Sequence, residues 1–306
     1  MLLKKKNIGR YVTICLIASL ICLFFISFSD AKALLPSIPE ASMFLDQIDR
    51  NNYIVNKQLH GSNLFKWDFS NTNQYIYSYL KKSIENDFSN IIGIESGKDT
   101  TKMISNANFL ISSSGNHTAD LELKDIETVI THWNGKEKKL QNIPSIVIAS
   151  IDEEGMNKAN KNNVDLLPEV LFPLPNRTLK VKENNTINKS IPVAINDKIF
   201  TVVGELIITL TDYVIINNRD CARFEVIADF ENPNDLDGNC MCTIKTNTVY
   251  YFDIERHCLV AGGSAMLISI RYVDTATGQK IINDNHFFIS LELECIEELM
   301  GQPGRP

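Results

Sequence analysis

The sequence predicts a mainly β fold: a curved antiparallel sheet or half-barrel with few short helices, preceded by an N-terminal signal helix. An α+β arrangement is the alternative. Two observations carry the β prediction. After residue 63, apolar and polar residues alternate in twos, as in Tyr75-Ile-Tyr77-Ser-Tyr79 and Ala222-Arg-Phe224-Glu-Val226. That is the period of side chains on a strand with one buried face. The runs are separated by turn-forming clusters, among them Ser70-Asn71-Thr72-Asn73 and Asn217-Asn218-Arg219-Asp220, as expected of strands joined by hairpins.

The signal helix rests on the first 33 residues. Lys4, Lys5, Lys6 and Arg10 form a cationic start, Tyr11 to Phe28 is a run of 18 uncharged residues, and Ala31-Lys32-Ala33 gives a small-x-small cleavage site. This order is the secretory signature. The run is longer than the roughly 7–15 apolar residues of an ordinary signal peptide and reaches the lower limit of a membrane span. Residues 1–33 are therefore a cleaved signal peptide or an uncleaved anchor, and residues 11–28 are the only membrane contact expected. Both readings place the rest of the chain outside the cytoplasm, whether periplasmic, surface-attached or secreted.

Residues 34–62 read as a linker with a short helix near Ser42, where Phe44, Leu45 and Ile48 share a helical face. A β-rich domain then covers 63–300, with a possible division into two lobes at 152–175, and 301–306 form a loose tail. Trp67-Asp-Phe69 and Tyr75 to Leu80 read as a hairpin, and Asn108–Ser112 and Thr118–Lys124 as a second. A third begins at Ile126 and turns at Asn134-Gly135, a strong hairpin signal. Leu171-Phe-Pro-Leu-Pro175 returns the chain to an apolar surface, but its prolines argue against a central strand. Phe200–Ile216 reads as one long strand or a bent pair with Gly204 as a bulge. Cys221–Phe230, Thr248–Ile254, Ser264–Val273 and His286–Ile296 follow, with Gly262-Gly263 as a connection.

The whole chain carries a net charge of −7. Without residues 1–33 it keeps 25 basic against 36 acidic residues, a net of −11. Such a surface repels phosphate backbones, so no nucleic-acid partner is expected.

Five cysteines follow the signal segment: Cys221, Cys240, Cys242, Cys258 and Cys295. In an exported chain they predict disulfides, with one of Cys240 or Cys242 pairing with Cys258 or Cys295, and an odd thiol left over. Cys240, Cys242, His257 and Cys258 could instead offer thiolates and imidazole to zinc or copper(I). Their spacing fits no familiar zinc module, however, and no metal ligand is assigned. No histidine pair has metal spacing, Ser112-Ser113-Ser114-Gly115 is not a nucleophile elbow, and no Gly-rich phosphate loop occurs. No catalytic or cofactor-binding residue is assigned and no cofactor is expected. The Tyr75, Tyr77, Tyr79 stripe could line a ligand groove, but on a strand such a row more often belongs to the core.

Several short segments resemble those of the DUF6263 family of exported bacterial β proteins of unknown function. They are Trp67-Asp-Phe69 through Tyr79, Gly115-Asn-His-Thr118-Ala-Asp-Leu121, Leu171-Phe-Pro-Leu-Pro175, Cys221-Ala-Arg-Phe224, and Tyr251-Phe-Asp253 ahead of Cys258-Leu-Val. At Lys182-Glu-Asn-Asn185 the chain lacks the family's Gly-Asp-x-Trp turn. The resemblance implies an envelope β domain and no particular activity. Together these readings predict a non-enzymatic exported module for an apolar ligand or an envelope protein partner. An envelope enzyme whose site is assembled from distant residues, or a structural interaction protein, is the alternative.

Overall fold

The computed structural model describes residues 39–49, 53–56, 61, 63–70, 72–87, 99–115, 117–132, 134–156, 171–195, 198–232, 240–273, 278 and 280–298. The signal segment 1–33, the tail 301–306 and the whole of 157–170 lie outside them. The chain divides into two compact units, residues 1–43 and 44–306. Of the first, only 39–43 are described, the opening turn of helix α1 (Pro39–Ile48). No helix among the described residues is long and apolar enough to cross a membrane.

The second unit is one open antiparallel sheet of twelve strands. In chain order they are β1 (Ile54–Val55), β2 (Thr72–Asp87), β3 (Asp99–Gly115), β4 (Thr118–Thr131), β5 (Glu137–Ile143), β6 (Ile146–Asp152), β7 (Asn184–Ile195), β8 (Lys198–Ile216), β9 (Arg219–Glu231), β10 (Cys240–Asp253), β11 (Cys258–Val273) and β12 (Lys280–Glu298). The neighbour order is β1-β8-β9-β10-β11-β12-β2-β3-β4-β5, with β6 on β4 and β7 on β8. The mainly β antiparallel prediction holds, and the α+β alternative does not. Strands from both sides of 152–175 belong to this single sheet. Its edges are protected: β5 shows Glu137, Lys138 and Lys139 to solvent and β7 contains Pro192, features that discourage pairing with another sheet.

The inner face is apolar because the period-2 pattern keeps one set of side chains together across the register. Phe224 of β9 lies opposite Tyr250 of β10, Tyr250 opposite Gly262 of β11, and Gly262 opposite Leu291 of β12. Leu291 in turn faces Tyr79 of β2. Tyr75, Tyr77, Phe109, Leu121, Ile208, Phe224 and Phe252 all lie in this core. The tyrosine stripe is therefore core, although Tyr79 also borders a groove. The Tyr77 hydroxyl donates to the Leu259 carbonyl at 3.0 Å, and the Tyr75 hydroxyl to the Asp68 carbonyl at 2.6 Å, so their polar ends are satisfied.

Two segments fill the inner face. Residues 64–69 are extended but pair with no strand, which corrects the hairpin expected at Trp67–Phe69. Phe65, Trp67 and Phe69 are buried. Trp67 packs edge-on against Phe252 of β10 and Tyr75 of β2, and its amide donates to the Glu153 carbonyl just past β6. Strands β10 and β6 are six spacings apart along the sheet, about 29 Å if it were flat. One residue touching both β10 and the end of β6 shows that the sheet curls around this segment. The second filler is Leu171–Pro175. Tyr250 donates its hydroxyl to the Pro173 carbonyl, and Phe172 stacks edge-on against the Tyr250 ring.

The expected turn at Gly262-Gly263 is instead the middle of β11. A Cβ on Gly262 would meet Phe172 at 2.5 Å, and one on Gly263 would meet Ile48 of α1 at 1.9 Å. Neighbouring residues on a strand face opposite sides, so each glycine admits one covering side chain on its own face. The bulge expected at Gly204 is also absent. Gly204 pairs regularly with Phe230, and the register shifts later, between Leu210 and Asp212. What Gly204 needs is space, because a Cβ there would stand 2.0 Å from the Asp229 carbonyl oxygen. At the β8–β9 turn, Asn217 and Asn218 both have positive φ, 51° and 60°. That backbone suits a two-residue hairpin, and asparagine adopts it readily.

Candidate functional site: a groove on the outer face

The outer face carries a smaller apolar cluster of Val214, Cys221, Val249, Tyr251 and Val260, against which Tyr53, Ile216 and Ala261 pack. The C-terminal turn of α1 lies on this face. Phe44 packs edge-on against Phe288 of β12, and Ile48 sits over Gly263. An ionic latch holds the helix end. Arg223 of β9, only 6% exposed, donates from Nε to Asp49 Oδ1 at 2.8 Å and from Nη2 to Oδ2. Its Nη1 bonds Thr211 at 2.6 Å and Glu225 at 2.8 Å. The Tyr251 hydroxyl donates to the same Asp49 carboxylate at 2.6 Å. Burial raises the Asp49 pKa, but the hydrogen bonds from Arg223 and Tyr251 and the Arg223 charge outweigh it and hold the carboxyl below its ordinary value. Burial, and then the Asp49 carboxylate, raise the Tyr251 phenol.

Beside the latch lies a groove of about 610 Å³, within the size range of small-molecule sites. Its apolar lining includes Phe44 and Ile48 from α1, with Tyr53, Ile216 and Tyr251, and also Tyr79, Leu80, Ala107 and Leu291 from the strands. Its polar lining includes Ser290 and Glu292 of β12, Ser78 and Lys82 of β2, Asn106 and Asn108 of β3, and Asp125 and Glu127 of β4. Among the described lining residues, the carboxylates outnumber the one lysine. A bulge places Asp125. The β3–β4 register shifts between Asn106 and Asn108, and Asp125 takes φ 52°, so the strand swings locally. Asn108 Nδ2 holds the Asp125 carboxylate at 2.8 Å. Asp125 and Glu127 also line a neighbouring polar cleft of about 380 Å³ with Asn142 and Ser145.

Among the described residues, no histidine lines the groove. His117 pairs with Glu153 at 2.6 Å, but its side chain is 77% exposed on a turn. It forms no enclosed acid–base pair.

The cysteines are not brought together as expected. Cys242 pairs with Ile270 at one end of β10, whereas Cys258 pairs with Asp253 at the other. Eleven residues of strand separate those positions, roughly 36 Å. That rules out a Cys242–Cys258 bridge and equally a shared metal site. Cys221, Cys242, Cys258 and Cys295 are thiols in no disulfide, the first three buried and Cys295 exposed; the Cys240 side chain lies outside the described residues. Asp253 is paired with Cys221 on one side and Cys258 on the other. It accepts from Arg219 at 2.9 Å and from the amides of Glu255 and Arg256, which shapes the β10–β11 turn. Burial, and then the Asp253 charge, push the Cys221 thiol up to about 12 and Cys258 higher still. Neither thiol is primed as a nucleophile or ligand.

The sheet and groove define a class: an open antiparallel β protein curled around its own fillers, with a ligand-sized groove on the outer face. No family model matches the chain, and no curated protein matches it. Among solved structures it is similar to DynF from the dynemicin biosynthesis pathway of Micromonospora chersina, at 8% identity over 82% of this chain and 95% of that one, with a TM-score of 0.23.

Proposed function

We propose that this is an exported, non-enzymatic binding module of the cell envelope. It holds a small amphipathic molecule bearing a cationic group in the outer-face groove. The observation that carries the proposal is the groove's mixed lining: aromatic and aliphatic side chains lie with Asp125, Glu127 and Glu292, against one cation, Lys82, among the described residues. An apolar group gains free energy by leaving water at the first surface. A cation gains by charge complementarity at the second. Export is supported by the N-terminal pattern of residues 1–33, and an envelope β domain by the resemblance to the DUF6263 family. The fillers favour the groove over the concave face. Among the described residues, the inner apolar cavity beside Trp67, Phe109 and Phe172 is small, about 40 Å³.

The test compares two detergents with the same chain below their micelle concentrations, dodecyltrimethylammonium and dodecyl sulfate. The cationic one is expected to bind at least about tenfold more tightly, a difference of about 1.4 kcal/mol. Asp125→Asn with Glu127→Gln should remove most of that preference, and added salt should weaken it. Equal binding of the two detergents, or no effect of the double substitution, would refute the reading.

A further inference from the structure

Negative charge is not spread evenly along the outer-face groove. One row of lining residues crosses the sheet from Tyr251 of β10 through Ala261, Glu292 and Ser78 to Asn108 of β3, where the bulge of β4 brings in Asp125. Glu292 and Asp125 are three strand spacings apart on this row, about 14 Å. Glu127 stands two residues beyond Asp125, at the end of the next row, Ser290–Leu80–Asn106–Glu127. The carboxylates therefore form two stations. Glu292 is on the side nearer Tyr251, and Asp125 with Glu127 is at the far end. The lining between them, Ser78, Leu80, Asn106 and Asn108, is uncharged.

The cations nearby stand off this line. Lys82 is four residues beyond Ser78 along β2, about 13 Å. Lys124, which borders the adjoining polar cleft, pairs with Glu122 at 3.2 Å. Three carboxylates against one ammonium leave the described lining of the groove with a formal charge of −2. A ligand with one cation matches one station and leaves the other unmatched. A ligand with two cations matches both, and once one end is bound the other meets its station at high effective concentration, provided the spacer reaches.

The surroundings of each station suit a primary ammonium, which has three N–H donors to place. The Ser78 and Ser290 hydroxyls neighbour Glu292, Asn106 lies opposite Glu127, and Asn108 is bonded to Asp125. Leu80, with Phe44 and Ile48 of α1, offers apolar surface to a chain of methylenes. Taking the groove as the binding site proposed above, we infer that its ligand is a linear diamine or oligoamine. One ammonium sits at Glu292, a second at Asp125 and Glu127, and an apolar spacer of about 14 Å joins them.

Calorimetric titration of the full chain with 1,10-diaminodecane, decylamine and 1,4-diaminobutane tests this. At about 3.5 Å per three bonds of an extended chain, the nitrogens of the long diamine lie about 13 Å apart and those of the short one about 6 Å. The long diamine is expected to bind at least about tenfold more tightly than either of the others. Decylamine is the more apolar of the ten-carbon pair, so burial of methylenes alone would favour it. The short diamine has the same charge, so general attraction to an acidic surface would not separate the two diamines. Glu292→Gln should bring the long diamine down to the affinity of decylamine, whose ammonium keeps Asp125 and Glu127. Thermal unfolding checks that this variant folds, and if it does not, the length series decides. Equal affinity of the long diamine and decylamine, equal affinity of the two diamines, or full preference retained by Glu292→Gln would overturn the inference. The groove would still be a cation site if dodecyltrimethylammonium keeps its preference over dodecyl sulfate; loss of that preference as well would overturn both.

Discussion

The latch between α1 and the sheet makes the most exacting prediction. Replacing Asp49 with alanine removes a carboxylate that accepts three hydrogen bonds, two from Arg223 and one from Tyr251. Breaking a buried ion pair by deleting one partner costs about 3–5 kcal/mol, because the other charge is stranded. Two features of this site reduce that figure. Asp49 keeps 26% of its side-chain exposure, and Arg223 retains Glu225 and Thr211 as partners. The expected loss is therefore about 2–3 kcal/mol. Urea unfolding of the wild type and Asp49→Ala measures it, and Arg223→Met completes a double-mutant cycle with a coupling of at least about 1 kcal/mol. The pH dependence follows from the direction of the shift. The folded-state pKa of Asp49 lies below its unfolded value, so its stabilisation is complete above about pH 4 and is lost as pH falls through the folded value. Asp49→Asn should flatten that part of the acid limb. A loss below about 0.5 kcal/mol, within the range of ordinary surface changes, would mean that the latch does not hold the helix and that the apolar groove wall needs another support.

Other substitutions test the fold that positions the sites. Trp67→Ala should cost about 3–5 kcal/mol in urea unfolding, the range for a buried aromatic, whereas a residue on a frayed hairpin arm would cost far less. Gly204→Ala should cost up to about 3 kcal/mol, since the new methyl group meets the backbone of β9 and not a flexible side chain. Mass mapping after brief iodoacetamide treatment of the native protein should find Cys295 modified, with Cys221, Cys242 and Cys258 reacting only after denaturation. Disulfide-linked peptides joining Cys242 to Cys258 would contradict the register.

The strands were legible where alternation was strict. The β9 pattern of Ala222, Phe224, Val226, Ala228 and Phe230 is the buried face, and the asparagine turn before it falls where composition indicates. Alternation alone could not tell a strand from an extended filler. Phe65, Trp67 and Phe69 bury every second side chain, as a strand does, yet they lie across the sheet without joining it. The glycine pair misled for a related reason. Gly262-Gly263 has turn composition, but its lack of side chains serves two covering segments that come from residues 48 and 172. The cysteines illustrate the limit most clearly. Cys242 and Cys258 are sixteen positions apart in sequence, near enough to suggest a bridge. The fold runs almost the whole of β10 between them. The groove left no local trace, since its walls are gathered from α1, β2, β3, β4 and β12.

The two glycines also explain where each face takes its covering side chain. Phe172 can approach the inner face only at Gly262, and Ile48 the outer face only at Gly263, because any side chain at these positions would occupy the same space. Each cover is thus fixed to the middle of β11, and each leaves the sheet beyond it to other chemistry. On the inner face the apolar rows give way to hydroxyls two steps past Phe172, at Ser83 and Thr246. On the outer face the helix edge becomes one wall of the groove, and strands β4 and β12 supply its carboxylates.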